Sequence, residues 1–320
     1  MTKEELKGKV AFIGDAQIEK SVSVYVTTNT TGLQLFNIVN NDLKDLCDMF
    51  VKSVKARVLD DDEYVVEDYS TSLKREDVLH VYDLNDQLTD EMKKMKEVED
   101  IQVPEYFDKS QTKIEIINGV YIIIKDNDNQ HSLTIYKSIT NVDKAYTAST
   151  FFIFGSQNRQ FERQKDTMLK ITPAFQMMQV DGSIILTDIS KLEKPLHLDA
   201  ILERETARDV TTISGAIVMS TSHLLKVCKK PKLCKKLRHA LQKSKVVKLL
   251  EDGTLTGAQI VNFVETKTNL KFKYNRSKTK FQLGTDVEAE RFIKLMDDDY
   301  LMSELTGEKY DSPDKDAIGA

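Results

Sequence analysis

The side chains in this 320-residue sequence that could do chemistry as a group are lysines, and they are gathered in one place. Lys226, Lys229, Lys230, Lys232, Lys235, Lys236, Arg238, Lys243, Lys245 and Lys248 follow one another with no acidic residue among them. Residues 226–280 hold 16 basic against 3 acidic residues, a net of +13, while residues 1–225 carry −11 and residues 281–320 carry −7. The whole-chain charge of −5 conceals that asymmetry, which points to a polyanionic partner for the basic block. Leu233, Leu237 and Leu241 recur at four-residue spacing and make one apolar stripe, which leaves the lysines largely to the other faces of a helix. Pro231 suits the first turn of that helix, so Lys232, Lys235 and Lys236 crowd its N-terminus, the end that disfavours cations. An anion there would relieve the repulsion. It is either a nucleic-acid phosphate or a carboxylate supplied by the acidic N-terminal part of the chain. Lys226, Lys229 and Lys230 instead end the preceding helix, where the dipole suits them.

A second basic patch comprises Lys267, Lys271, Lys273, Arg276, Lys278 and Lys280, interleaved with Phe272, Tyr274 and Phe281. In a hairpin, alternation places Lys271 and Lys273 on the face opposite Phe272 and Tyr274. Aromatics in the core and a basic ribbon along a phosphate backbone are compatible readings of that pattern. Among the sixteen basic residues of the block, Arg238 and Arg276 alone are arginine. Lysine is a flexible point charge, whereas arginine forks onto guanine edges. The pattern therefore predicts salt-sensitive contact with phosphates and little discrimination between sequences.

Local catalytic signatures are missing: there is no glycine-rich phosphate loop, no Gly-x-Ser-x-Gly and no His-Glu-x-x-His. A nuclease needs clustered carboxylates around a divalent ion. Glu91-Met92-Lys93 reads as part of a solvated polar helix and Asp297-Asp298-Asp299 as an exposed acidic turn, so a nuclease would need a site assembled from distant residues. His80, His131, His197, His223 and His239 do not pair on a helix face, and Cys47, Cys228 and Cys234 read as free thiols of a reducing compartment. No cofactor, metal or small-molecule substrate is expected. The apolar runs, such as Tyr121-Ile122-Ile123-Ile124, are far shorter than a bilayer span, and the N-terminus lacks a secretory signal. These features predict a cytoplasmic protein that reaches a membrane only through a spanning partner.

The elements that would position these residues form an α+β fold. Ser21–Thr27 alternates as a half-buried strand, Asn41-Asp42 caps a helix reaching Val54, and Gln87–Val98 is a polar helix. Lys113–Lys125 and Ser132–Ser138 make a hairpin around Asp126-Asn127-Asp128-Asn129. Thr150–Gly155, Met168–Ile171, Phe175–Val180 and Ile184–Leu186 add short strands, the last two joined by an Asp181-Gly182 turn. Antiparallel strands without βα alternation exclude a doubly wound sheet. Composition changes near Pro195, which divides the chain into a mixed domain with an antiparallel sheet, 1–190, and a mainly helical basic domain with a small β-hairpin, 191–320. In the latter, Leu198–Leu225, Thr256–Leu270 and Asp286–Met296 read as helices. The first carries Ile201, Leu202, Val210, Ile213, Ile217, Leu224 and Leu225, more apolar surface than a peripheral helix needs, which predicts a homodimer or larger assembly.

Residues from about Thr150 to Ile318 resemble the bacterial KwaB family, the second component of the Kiwa anti-phage system. The resemblance rests on Ser303-Glu304-Leu305-Thr306-Gly307-Glu308-Lys309-Tyr310, similar to a Ser-x-Leu-Thr-x-x-x-Tyr signature near the family's C-terminus. It rests also on Asp181-Gly182-Ser183-Ile184-Ile185-Leu186 followed by Leu198-Asp199-Ala200-Ile201, where the family more often has Phe-Glu in place of Leu198-Asp199. The resemblance implies a defence protein that binds DNA, forms homo-oligomers and works with a multi-span membrane protein. It implies no enzymatic activity, and its motif residues carry no binding role.

Overall fold

The computed structural model describes residues 1–28, 30–73, 76–108, 113–128, 130–145, 154–157, 160–163, 168–213, 215–302 and 309–311. The chain forms two compact units, one of Met1–Glu67 with Glu76–Leu192 and the other of Asp68–Arg75 with Glu193–Ala320. The second unit thus takes in a short segment far upstream of the boundary expected near residue 190.

The first unit is built on an eight-stranded sheet. Its strands are β1 (Lys20–Thr28), β2 (Gln34–Leu35), β3 (Val65–Asp68), β4 (Val78–Val81), β5 (Ile117–Asp126), β6 (Ser132–Ser138), β7 (Met177–Val180) and β8 (Ser183–Leu186), in the order β2-β1-β5-β6-β7-β8-β4-β3. At its centre β5 pairs antiparallel with β1, from Lys20↔Asp126 to Thr28↔Ile117, and with β6, from Gly119↔Ser138 to Lys125↔Ser132. Tyr121, Ile122, Ile123 and Ile124 are all buried, which requires cover on both faces of β5. On one face lies the main core, where Val24, Val120, Ile122 and Ile135 cluster with Leu6, Val10 and Ile13 of α1 (Lys3–Gly14) and with Phe50 and Val54 of α2 (Asn40–Val54). α3 (Asp90–Glu97) buries Met92 and Met95 completely and packs on β6. It is therefore amphipathic, not the solvated helix that its charged residues suggest, because two methionines at i and i+3 suffice for a buried edge. The β7–β8 turn is as anticipated: Asp181 and Gly182 both have positive φ, 46° and 72°, as a two-residue hairpin of the right twist demands.

The second unit is mainly helical. α5 (Leu198–Ile213) is followed by α6 (Ser222–Val227), α7 (Pro231–Lys243), α8 (Lys245–Glu251), α9 (Gly257–Lys267) and α10 (Asp286–Met296), the helix numbered α4 (Ile189–Leu192) belonging to the first unit. The single helix expected over Leu198–Leu225 is broken. The chain takes a positive φ of 83° at Gly215, and Val218 then bridges to Phe281 before α6 begins. Ile201, Leu202, Val210, Ile213, Ile217 and Leu224 are buried within the unit. They are core residues, so their apolar character is no argument for a partner. The hairpin of β9 (Lys273–Tyr274) and β10 (Phe281–Gln282) sits where the aromatic–lysine alternation placed it. Phe281 is fully buried against the rings of Phe272, Tyr274 and Phe292, at 5.1, 5.4 and 5.3 Å. The antiparallel first part, the helical second part and the small hairpin make up the α+β fold anticipated. Of the expected strand Thr150–Gly155, residues 150–153 lie outside the described residues and the rest falls in a strand, Phe154–Gln157; residues 303–308 of the Ser303–Tyr310 motif also lie outside them.

The first residue of α9 locks this unit together. A Cβ on Gly257 would collide with the carbonyl oxygen of Thr279, a backbone atom that cannot swing aside. Gly257→Ala is expected to destabilise the protein by about 1–3 kcal/mol as an overpacking change, read as a lower urea midpoint at unchanged slope.

Candidate nucleic-acid interface

The basic residues predicted to meet phosphates separate into three groups. α7 begins at Pro231, in the N1 position, and its apolar side buries Cys234, Leu237, Ala240 and Leu241. The burial runs further round the helix than a leucine stripe requires, because α5 and α10 both pack on it. Lys235, Lys236 and Arg238 are buried with it, at 4%, 7% and 7% exposure. Each faces a carboxylate that arrives from elsewhere in the chain. Lys235 lies 3.6 Å from Glu193 and 4.2 Å from the centre of the Tyr69 ring. Arg238 lies 2.8 Å from Asp209. Lys236 pairs with Asp299 and lies 3.8 Å from Asp297, whose other oxygen meets His239 Nδ1 at 2.6 Å.

These three residues are therefore removed from the expected phosphate-binding set. A cation in so dry a place must be paired, and each of the three has a carboxylate of the same unit at ion-pair distance. The anion inferred at the start of α7 is in part a carboxylate of the chain: Glu193, from the acidic first 225 residues, faces Lys235, and Asp299, from the acidic C-terminal block, pairs with Lys236. For the same reason Asp297-Asp298-Asp299 is not an exposed acidic turn. Asp297 and Asp299 are buried, meeting the ammonium of Lys236 and, for Asp297, the imidazole of His239, and Asp298 between them is exposed.

A second group is exposed but engaged. Lys226 and Lys230 reach Asp286 and Glu290 of α10, each at 2.7 Å. Lys243 lies 2.9 Å from Asp68, and Lys278 2.9 Å from Glu265. His223 Nδ1 also meets Asp286, at 2.8 Å. Hydrogen bonds from Lys226 and His223 hold the Asp286 carboxyl below its ordinary range, and Glu290 raises the ammonium of Lys230.

The third group is exposed and forms no ion pair among the described residues. It comprises Lys229 and Lys232 around the start of α7, Lys245 and Lys248 on α8, Lys267 at the end of α9, and Lys271, Lys273 and Arg276 on the hairpin. Lys280 is half-buried. The two patches share a support. α10 packs on α6 and α7 and receives the hairpin through the Phe281–Phe292 contact. Beside the hairpin an open groove of about 710 Å³ is lined by Lys271, Phe272, Tyr274 and Lys278. The sequence pattern singled out Asp297 and Asp299 as part of an acidic turn and not as partners of Lys236, and it did not single out Glu193, Asp209, Asp286 or Glu290. The available signal was the net charge of −7 after residue 280, with Asp286 and Glu290 one helical turn apart.

Among the described residues no group of His, Cys, Asp or Glu side chains is arranged to hold a metal ion, and no helix is long and apolar enough to cross a membrane. The family model for Kiwa protein KwaB-like proteins matches residues 115–306. The chain is also 22% identical over 326 aligned positions to Kiwa protein KwaB of Escherichia coli O55:H7 (strain RM12579 / EPEC), an alignment covering 99% of each. No solved structure matches it significantly.

Proposed function

This chain belongs to the Kiwa protein KwaB-like family of anti-phage defence proteins, and from that premise we propose that it acts by holding double-stranded DNA with little sequence preference, without cleaving it. The observation that carries this reading is the set of exposed basic side chains that form no ion pair among the described residues, Lys229, Lys232, Lys245, Lys248, Lys267, Lys271, Lys273 and Arg276. Seven of the eight are lysines, the residue type suited to backbone phosphates rather than base edges. The binding surface is this set together with the engaged but solvent-open Lys226, Lys230, Lys243 and Lys278. Family membership, and not an apolar face of the chain, supports two further parts of the proposal: that the protein works as a homo-oligomer, a dimer in the simplest case, and that it meets the membrane through a multi-span partner.

A gel shift with two unrelated duplexes, with and without magnesium, tests the binding and the absence of cleavage together. Both duplexes should shift equally at low salt and remain intact. Magnesium-dependent nicking abolished by an Asp or Glu substitution would make the protein a nuclease instead. No shift at low salt would make the basic block a dock for an acidic protein. Light scattering at micromolar concentration should return at least twice the monomer mass, and a monomer mass would exclude the oligomer.

A further inference from the structure

We propose that Asp286 and Glu290 are resident counter-ions of the DNA-binding surface, carboxylates that occupy Lys226 and Lys230 in the free protein and are displaced by phosphates. The inference rests on the DNA-binding reading above and adds a built-in competitor to it.

The geometry distinguishes these pairs from the structural ones. Asp286 and Glu290 lie one turn apart on α10, which is held down by the buried Ala289, Phe292, Ile293 and Met296. Lys226 and Lys230 meet them across α6 and the start of α7, each at 2.7 Å. All four side chains stay open to water, the lysines 62% and 65% exposed and the carboxylates 39% and 35%. The Lys236–Asp299 pair, at 8% and 0%, is sealed. An exposed pair adds little to stability and exchanges partners without unfolding. Lys229, which forms no ion pair among the described residues, stands directly before Lys230 in the chain. A phosphate drawn to Lys229 therefore arrives beside a lysine that has only to let go of one carboxylate. Asp286 is the firmer competitor, since His223 also holds it.

Exchange of this kind has a signature in salt dependence. A lysine that must release a carboxylate leaves that anion to regain counter-ions, which offsets the counter-ion release from DNA. Neutralising the carboxylate makes the lysine a free phosphate contact worth about 0.9 in the slope of log affinity against log salt.

The test is DNA affinity against salt for the wild-type protein, for Asp286→Asn with Glu290→Gln, for Glu290→Gln alone, and for a charge-matched control. Glu251→Gln with Asp298→Asn serves as that control, because both residues are exposed and form no ion pair among the described residues. The double variant should bind about tenfold tighter near 50 mM salt, with a slope steeper by about 1–2 than that of wild type or control. The single variant should show about half of each change. Wild-type binding with a double variant indistinguishable from the control overturns the competition and leaves the DNA-binding reading intact. A folded double variant that binds more weakly also overturns it, since the carboxylates would then be positioning the lysines. Failure of the wild-type protein to bind DNA removes both.

Discussion

Replacing Lys236 with alanine is expected to cost about 3–5 kcal/mol of folding stability, the loss typical of a buried pair deprived of one partner. Lys236 is 7% exposed and neutralises Asp299, which is fully buried, while standing 3.8 Å from the buried Asp297. Alanine leaves two buried carboxylates without the ammonium that pairs with them. A loss of that size is a large share of the stability of most domains. Urea unfolding should register it as a lower midpoint. Lys232→Ala, one turn earlier on an exposed position, should stay within about 0.5 kcal/mol of wild type. A normal midpoint for Lys236→Ala would mean that the cluster is hydrated and not structural.

The same cluster changes how the basic block is to be probed. Converting Lys229, Lys230, Lys232, Lys235 and Lys236 together to glutamate would place new anions beside Glu193, Asp297 and Asp299, so loss of binding would report unfolding and not contact. The informative variant reverses Lys229, Lys232, Lys271 and Lys273, all exposed and without ion pairs among the described residues. It should fold with an unchanged urea midpoint. It should also lose affinity for DNA on the order of a thousandfold near 0.1 M salt, because each of the four contacts removed carries about 0.9 in the slope of log affinity against log salt, which is about 0.9 decade each at a tenfold step below 1 M. The loss should be equal for unrelated duplexes, since no base edge is being read. Retained affinity in the folded variant would place the DNA elsewhere.

The parts of this fold that were legible depend on neighbours in the chain. The β7–β8 hairpin follows from Asp181-Gly182, where both residues take positive φ. α7 starts at Pro231 and α10 spans Asp286–Met296 as their local patterns require. α1 was equally local and went unread, although Thr2 and Glu5 form a capping box ahead of Leu6, Val10 and Ile13. The break after Ile213 was less visible, because Gly215 is a single glycine in an otherwise helical pattern.

The candidate site was legible as a charge block and illegible as a surface. Ten basic residues from Lys226 to Lys248 have no acid beside them in sequence, yet Glu193, Asp209, Asp297 and Asp299 reach Lys235, Lys236 and Arg238 in space. Helical periodicity told which positions of α7 are apolar. It did not tell that neighbours from α5 and α10 would close over the charged positions as well. The residues left outside those pairs are the ones that carry the proposed function.

The most direct test of that function is the slope of log DNA affinity against log salt, measured on two unrelated duplexes of equal length for the wild-type protein and for the variant with glutamine at Lys229, Lys232, Lys271 and Lys273. The account predicts the same steep slope on both duplexes for wild type and a slope shallower by about 3–4 in the variant, whose fold is intact. Equal slopes in the two proteins, or a wild-type preference for one duplex that survives at high salt, would contradict it.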